Sequence, residues 1–283
     1  RIVPVLIEAI KDPSPLVRSA AATALQDVHT QEAVQALVDA TGDDYRLVRV
    51  RAAASLAAYQ NLPLDDAQKK TVAAANEEML ASILSRPDQW TSHYNLGNYY
   101  MDRRELEQAL ASYDTALKLE PQAVLAMVNE AMAYARLGET QKAEASLQKA
   151  LKVAPDSAPA HFNMGLLKAE LNDTTGAEVH LRKALEADPQ MAQAAYNLCV
   201  ITSKDRLDEA ISWCRKAADL RPQEPKYGFT LAFYLNQKGD RDESVRMLKA
   251  ILEKYPEYRD AEMMLRQMTA AGNSERRERG GSR

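Results

Sequence analysis

Glycine is scarce in this sequence: its 283 residues include only 10 glycines, whereas alanine is abundant. Glycine weakens a helix and alanine is the best helix former, so this composition favours helices. No segment alternates apolar and polar residues between Asn-Gly turns, so no β-hairpin is predicted. We therefore expect an all-α protein.

Other absences argue against whole classes of function. No uninterrupted apolar run approaches the roughly 18 residues that a membrane helix needs, so membrane insertion is not expected. The net charge is −4 and no segment is strongly basic, which argues against nucleic acid as a partner. Two cysteines are too few for a framework of several disulfides.

The motifs of common catalytic and cofactor sites are also missing. The sequence contains no phosphate loop, dinucleotide fingerprint or nucleophile elbow, and no C-x-x-C-H that would bind c-type haem. The four histidines, His29, His93, His161 and His180, are scattered. Acidic residues follow helix-surface spacing, which is typical of a solvated face. We therefore expect no catalytic residue, metal site or cofactor within this chain.

A fixed period runs through most of the chain. Six prolines recur with four intervals of 34 residues and one of 33, and a series of small residues shares these intervals. A period in the thirties indicates stacked copies of one supersecondary unit, which is an α-solenoid. The prolines are Pro87, Pro121, Pro155, Pro189, Pro222 and Pro256, and the small residues are Ala75, Ala109, Ala143, Ala177, Ala210 and Ser244.

From residue 90, each period carries a recognisable pattern, W-x2-L-G-x2-Y followed by A-x3-F and P. The first unit has Leu96, Gly97 and Tyr100, and departs only at the Trp position, which holds His93. The chain thus resembles tetratricopeptide-repeat (TPR) proteins, which are built from helix-turn-helix repeats. Five TPR repeats are predicted at 90–123, 124–157, 158–191, 192–224 and 225–258.

Two glycines predict how the first helix of a unit ends. Leu137-Gly138 and Lys238-Gly239 follow the first helices of the second and fifth units. Glycine adopts a left-handed conformation at low cost, so we expect left-handed caps at both places.

The first sixty residues follow a period of 31 residues instead. The phrase DPSPLVRSAAATAL at residues 12–25 has its counterpart at 43–56, and it resembles the short HEAT-like repeats of bacteria. We predict HEAT-like repeats at 1–61, the first of them truncated, and a connecting helix at 62–89 that acts as half a TPR. A capping helix is predicted at 259–270 and a disordered tail at 271–283.

The connecting segment keeps the phase of the TPR period. Ala75, Met79 and Pro87 lie one period before residues of the first repeat. We therefore predict that both repeat types form one continuous right-handed superhelix. Because the chain starts at Arg1 rather than Met, on a helix whose apolar face lacks a neighbour, we expect a fragment or processed product of a longer protein.

Asparagine occupies the same position of the first helix in four successive TPR units. The family resemblance implies that this helix lines a concave groove. An amide both donates and accepts, so it can pair with a peptide backbone of any sequence, and neighbouring aromatics supply apolar area. Alternatively, the asparagines satisfy local polar groups and the aromatics pack between repeats. The asparagines are Asn95, Asn129, Asn163 and Asn197, and the aromatics are Tyr94, Phe162, Tyr196 and Phe229.

A charged clamp is not expected in this groove. Chaperone-binding TPR domains hold a C-terminal carboxylate with Lys and Arg beside asparagines, and Asn98 and Asn129 fall at two of those positions. The cationic positions hold Tyr94, Pro159 and Asn163, which offer the carboxylate no charge partner. We therefore keep Asn98 only as a candidate residue of the groove.

Both cysteines lie in the shortened fourth repeat. Cys199 holds the small position of its first helix and Cys214 the aromatic position of its second, so both should lie where the helices meet. Two interpretations stay open: a pair of buried free thiols, or a disulfide that pins this repeat in an oxidising compartment.

These patterns predict a non-enzymatic scaffold that binds an extended peptide or a partner protein in the concave TPR groove. The alternative is a docking module for an upstream domain of the same parent chain. HEAT-plus-TPR tails resemble the C-terminal parts of some bacterial periplasmic multihaem cytochromes, whose catalytic part lies upstream. The sequence decides neither the partner nor the compartment, bacterial periplasm or cytoplasm.

Overall fold

Helices make up the regular secondary structure of this protein. The computed structural model describes residues 2–59 and 62–280, and this part of the chain contains sixteen helices and no strand, which confirms the predicted all-α fold. The helices are α1 (Ile2–Ala9), α2 (Pro15–Ala24), α3 (Gln31–Ala40), α4 (Arg46–Leu56), α5 (Asp66–Ile83), α6 (Trp90–Asp102), α7 (Leu106–Leu119), α8 (Val124–Arg136), α9 (Thr140–Val153), α10 (Ala158–Glu170), α11 (Thr174–Ala187), α12 (Ala192–Thr202), α13 (Leu207–Leu220), α14 (Pro225–Lys238), α15 (Arg241–Lys254) and α16 (Arg259–Gly280).

The chain divides into two units, unit 1 at Arg1–Val153 and unit 2 at Ala154–Arg283. Within each unit a helix packs mainly against helices close to it in sequence. Unit 1 holds the HEAT-like helices, α5 and the first two TPR pairs, and unit 2 holds three further pairs and α16. Local packing between neighbours is what defines a solenoid of helical repeats, which is the predicted fold class.

Arginines link successive HEAT-like copies. The Arg18 guanidinium donates to the Asp43 carboxylate at 2.7 and 2.9 Å and to the carbonyl oxygen of Asp12 at 2.8 Å. One period later, Arg49 donates to the Glu78 carboxylate at 3.1 and 2.8 Å and to the carbonyl oxygen of Asp43 at 2.8 Å. The planar guanidinium has enough donors for both acceptors. Each recurring arginine thus satisfies its own turn and connects it to the next copy.

One hydrophobic cluster joins the HEAT-like helices to the first TPR helix. Helix α5 begins at a capping box formed by Asp65 and lies between the two regions. Its Ala75 and Met79 are buried with Ala53 of α4 and Tyr99 of α6. The core of unit 1 therefore continues from one repeat type into the other.

A small residue faces a large one where the two helices of a TPR pair cross. A Cβ atom added to Gly97 would lie 2.4 Å from the buried ring of Tyr113, and one added to Gly165 would lie 2.8 Å from Leu181. The helices approach this closely because one partner is small. We call these partners the crossing pair of each repeat. The other crossing pairs are Ala131 with Leu147, Cys199 with Cys214, and Ala232 with Leu248.

A left-handed residue ends the first helix in four of the pairs. The predicted caps at Gly138 and Gly239 are confirmed, with φ of 75° and 102°. Arg104 and Asn172 adopt φ of 58° and 60° at the same repeat position, although neither is glycine. In the fourth pair, Arg206 N–H instead donates to the carbonyl oxygen four residues earlier, at 2.8 Å. This tighter turn accounts for the one-residue deletion in the period.

The last helix is longer than predicted. Helix α16 runs from Arg259 to Gly280, past the predicted capping helix at 259–270 and through most of the predicted tail at 271–283. Glutamate and arginine dominate residues 275–279, and both are good helix formers that no proline interrupts. The last three residues, 281–283, lie outside the described residues. Ala261 and Met268 are buried in a cluster with residues of α15.

An ionic network connects α11 to α13 in unit 2. Arg206 and Arg182 both donate to Glu178, in the latter case at 2.7 Å. Arg182 also donates to Glu209, which accepts a further bond from the Trp213 indole at 3.1 Å. The hydrogen bonds from Arg206 lower the pKa of Glu178 to about 2, burial opposes the shift, and Arg182 reinforces it. The third and fourth TPR pairs are therefore held together partly by charge.

We expect the Glu178→Gln variant to lose a pH-dependent part of the stability of unit 2. Because the folded pKa lies below the ordinary value of 4.5, the stabilisation is complete above pH 4.5 and is lost as the pH falls towards about 2. Urea unfolding at several pH values measures the difference in midpoint between wild type and variant. Exposed Glu186 on the same helix provides the control variant Glu186→Gln. A Glu178→Gln difference that stays constant from pH 6 to pH 2 would contradict this prediction.

Candidate functional site

Three of the predicted groove residues in unit 1 belong to one hydrogen-bond network. The Tyr113 hydroxyl donates to Asn98 Oδ1 at 2.8 Å, and Asn129 Nδ2 donates to the same oxygen at 2.7 Å. Asn129 Nδ2 also lies 3.3 Å from the hydroxyl of Tyr94. Burial strongly raises the pKa of Tyr113, so its hydroxyl stays protonated as a donor. Asn98 and Asn129 thus connect α6, α7 and α8 to one another.

Asn95 lies in a different environment from its counterpart Asn129. Its side chain is exposed and lines a cleft formed by α4, α5 and α6. The equal spacing of the asparagines in sequence therefore does not give them equal surroundings in unit 1.

In unit 2 the asparagines bond to their own helices. Asn163 Nδ2 donates to the carbonyl oxygen of Pro159 at 2.9 Å, and Asn197 Nδ2 to that of Gln193 at 2.8 Å. Thr230, the counterpart in the fifth repeat, does the same with Lys226 at 2.9 Å. Each bond spans four residues, so it satisfies a local polar group, as the second interpretation of the asparagines stated. An amide also has a second N–H and an oxygen, which this bond does not use.

The predicted groove aromatics of unit 2 pack between neighbouring first helices. The ring of Tyr196 lies 4.9 Å from that of Tyr227, centroid to centroid, and the Lys226 ammonium lies 4.7 Å from the Tyr196 ring. Phe229 contacts Tyr258 edge to face at 5.7 Å. Phe162 packs against the buried cluster around Leu181 and Leu198. These contacts favour the interpretation that the aromatics pack between repeats, and they show that α12 and α14 lie side by side.

An exposed apolar row beside these aromatics was not predicted. Val200 on α12 is 43% exposed, Phe233 on α14 is 48% exposed and Met263 on α16 is 56% exposed. Val200 and Phe233 lie four residues after Tyr196 and Phe229, so each shares a helix face with its aromatic. Their interval of 33 residues is the signal that could have revealed the row in the sequence. We call Val200, Phe233 and Met263 the apolar row of unit 2.

Cys199 and Cys214 are fully buried, and their sulfur atoms are bonded at 1.98 Å. The disulfide joins α12 to α13 across the crossing pair of the shortened repeat. Leu231 and Leu235 of α14 cover it from the other side. Of the two interpretations of the cysteines, the structure contains the disulfide.

Two histidines at the Trp position make the same contact. His93 Nε2 lies 2.8 Å from the carbonyl oxygen of Pro87, and His161 Nε2 lies 2.9 Å from that of Pro155. His161 also faces His180, with 2.9 Å between the Nδ1 atoms, and burial and this neighbour lower the pKa of His180. In the described part of the chain, no three His, Cys, Asp or Glu side chains lie together as metal ligands would.

Comparison with protein families identifies both repeat types. A model of HEAT repeats matches residues 1–57. Models of the tetratricopeptide repeat match residues 94–160, 162–225 and 229–258. None of the curated proteins compared with this chain by sequence matches it. Among the helices of residues 2–59 and 62–280, none is long and apolar enough to cross a bilayer.

Solved structures with a similar fold are TPR proteins of magnetosome and other origin by name. YrrB, described as a TPR protein with an unusual peptide-binding site, is 22% identical, and the match covers 65% of this chain and 95% of YrrB with a TM-score of 0.50. A MamA structure is 24% identical over 58% of this chain and 97% of its own, with a TM-score of 0.51. MamA from Desulfovibrio magneticus RS-1 is 24% identical over 60% and 96%, with a TM-score of 0.51. Identities this low show the fold alone.

Proposed function

Because the chain belongs to the tetratricopeptide-repeat proteins, with HEAT repeats at its N-terminal end, we propose that it is a non-enzymatic scaffold that binds an extended peptide on the first helices of its TPR pairs. TPR proteins stack helix pairs into surfaces that hold a partner, and such a surface needs no catalytic group. The proposal concerns the helices of unit 2, where exposed apolar side chains and amides lie together.

The apolar row of unit 2 is the observation that carries this proposal. One exposed apolar residue is normal on a protein surface, but three on successive first helices form a continuous feature. Val200, Phe233 and Met263 would each contact an apolar side chain of a bound peptide. The packed aromatics Tyr196 and Phe229 hold these helices in place and supply rigid edges to the surface.

Asn163 and Asn197 would bind the backbone of the same peptide. Each already donates one N–H to its own helix, which fixes the orientation of the amide before any ligand arrives. The second N–H and the oxygen then form a donor and acceptor pair that matches a peptide unit of any sequence. An amide held in this way loses little conformational entropy when a peptide binds.

We expect the Phe233→Ala variant to bind a selected peptide about tenfold more weakly than wild type, because an aromatic anchor contributes well over 1 kcal/mol to binding. The peptide is obtained by selection from a random phage-displayed library, and fluorescence anisotropy measures its affinity. Val179, which is 47% exposed on second helix α11, gives the control variant Val179→Ala, and it should bind as wild type does.

The asparagines are tested in the same assay. The double variant Asn163→Ala/Asn197→Ala should weaken binding of every selected peptide to a similar extent, because the amides contact the backbone. Asn129 is unsuitable for this test, since its bonds to Asn98 and Tyr94 stabilise unit 1. The proposal fails if the library yields no binder, or if Phe233→Ala and the double variant bind as wild type does with unchanged circular dichroism.

A further inference from the structure

A cleft of about 540 Å³ lies where the HEAT-like helices meet the first TPR helix in unit 1. Helix α4 and helix α5 form two of its walls, and residues 84–89 and the start of α6 form the third. None of the family models accounts for this junction, because it combines both repeat types. Its lining residues are Leu47, Val50, Arg51, Ala54, Met79, Ser82, Ile83, Ser85, Arg86, Gln89, Ser92 and Asn95.

The charge of this cleft is of one sign. Its lining contains two cations, Arg51 and Arg86, and no acidic residue, although the chain has 40 Asp and Glu. Both arginines are exposed, and neither has an acidic partner within 4 Å in the part of the chain that the structure describes. Arg49, two residues before Arg51, differs because its guanidinium is bonded to Glu78 and to turn carbonyl groups. The fold therefore uses Arg49 internally and leaves Arg51 available to a ligand.

The remaining lining is suited to a peptide rather than to a free ion. Leu47 and Ile83 present apolar surface beside the buried Met79. The polar side chains Gln89 and Asn95 are amides, which pair with peptide backbone groups. A small inorganic anion would leave the apolar walls exposed to water, whereas an acidic residue followed by an apolar one would cover both features.

We propose that this cleft binds an acidic segment of a partner peptide. A Glu or Asp carboxylate would accept hydrogen bonds from Arg51 and Arg86, and the neighbouring apolar side chain of the peptide would pack on Leu47 and Ile83. Asn95, the one asparagine of the series that lines this cleft, would bind the backbone between them. The proposal rests on the proposed function only in that the ligand is a peptide, and the site is separate from the apolar row of unit 2.

A labelled synthetic peptide tests the proposal. It contains Leu-Glu-Val-Glu between Gly-Ser flanks, and its counterparts carry Gln or phosphoserine in place of Glu. Wild type should bind the Glu peptide at least tenfold more tightly than the Gln peptide, and the preference should fall as salt is raised, because exposed charges are screened. Anisotropy titrations at low and high salt measure both effects.

Variants of the full chain assign the effect to the cleft. Arg51→Gln and Arg86→Gln should each weaken binding of the Glu peptide severalfold, and the double variant should bind the Glu and Gln peptides equally. Lys70→Gln removes the same charge from an exposed position on α5 outside the cleft, so it should bind as wild type does. Circular dichroism checks that every variant keeps its helices.

The outcomes separate this site from the proposed function. The cleft proposal is overturned if wild type does not prefer the Glu peptide, or if the double arginine variant keeps the preference. A phosphoserine peptide that binds more than tenfold more tightly than the Glu peptide would also overturn the assignment to carboxylates. The proposed function would still stand if the library-selected peptide depends on Phe233. Conversely, Phe233→Ala should leave binding of the Glu peptide unchanged.

Discussion

Replacing Gly97 by alanine is expected to lower the free energy of unfolding of unit 1 by about 1–3 kcal/mol, the usual cost of overpacking a core. The new Cβ atom would lie 2.4, 2.6 and 2.8 Å from three carbon atoms of the Tyr113 ring. Real carbon atoms do not approach this closely, so the ring or the helix must move.

The Tyr113 ring has little freedom to move. It is fully buried, and its hydroxyl donates to Asn98, which also accepts from Asn129. A shift of the ring would break this network and leave buried polar groups without partners, which costs more than the contact itself. The helix crossing must therefore absorb the added methyl group.

The second TPR pair of the same unit supplies a matched design. There the crossing pair is Ala131 with Leu147, a larger small residue and a smaller large one. The double variant Gly97→Ala/Tyr113→Leu reproduces that combination. Tyr113→Leu alone should destabilise by leaving a cavity and an unpaired Asn98, and the added methyl group of Gly97→Ala should fill part of that cavity.

Urea unfolding followed by circular dichroism measures the wild type, the two single variants and the double variant. We expect the double variant to be more stable than the sum of the single effects predicts, by at least about 0.5 kcal/mol, since residues in contact couple by this amount or more. Single effects that simply add would contradict the crossing-pair argument.

The repeat periods predicted the helices of this protein well because period and packing have the same cause. Each proline lies two residues after the end of a second helix or close to it, and each small residue lies at a helix contact. Gly138 and Gly239 could be predicted as left-handed caps because glycine favours that conformation. Arg104 and Asn172 could not, since the turn geometry of the repeat overrides their own preference there.

The candidate site was predicted less completely. Equal spacing placed Asn129 and Asn163 at the same position of their repeats, but their partners depend on side chains from elsewhere. Asn129 bonds to Asn98 and Tyr94, whereas Asn163 bonds to its own helix. The cleft that contains Asn95 requires α4, which follows a different period, so no pattern within the TPR units could indicate it.

Removing the Cys199–Cys214 bond is expected to lower the free energy of unfolding of unit 2 by about 3 kcal/mol. The bond closes a loop with a sequence separation of 15 residues, and loops of this length give stabilisation of that order by restricting the unfolded chain. Its position matters as well, because it takes the place of a packed crossing pair in the repeat whose turn is one residue short.

Two variants separate the bond from the packing. Cys199→Ala/Cys214→Ala removes both the bond and side-chain volume, so it should be the least stable. Cys199→Ala/Cys214→Leu reproduces the crossing pairs Ala131 with Leu147 and Ala232 with Leu248, so it should regain the packing contribution and lack only the covalent restraint. Urea unfolding without reductant measures both variants against wild type, and Trp213 provides a fluorescent probe one residue from Cys214.

The bond itself is checked by counting free thiols in denatured, unreduced protein from an aerobic preparation. We expect none in wild type, and we expect dithiothreitol to shift the wild-type urea midpoint towards that of Cys199→Ala/Cys214→Leu without affecting the variant. Two free thiols, or a wild-type midpoint that reductant does not change after full reduction, would contradict the prediction. A disulfide that persists here also requires an oxidising compartment, because cytosolic reductants keep most thiols free. Thiol counting on protein from a periplasmic and from a cytoplasmic preparation would therefore show in which compartment this repeat reaches its full stability.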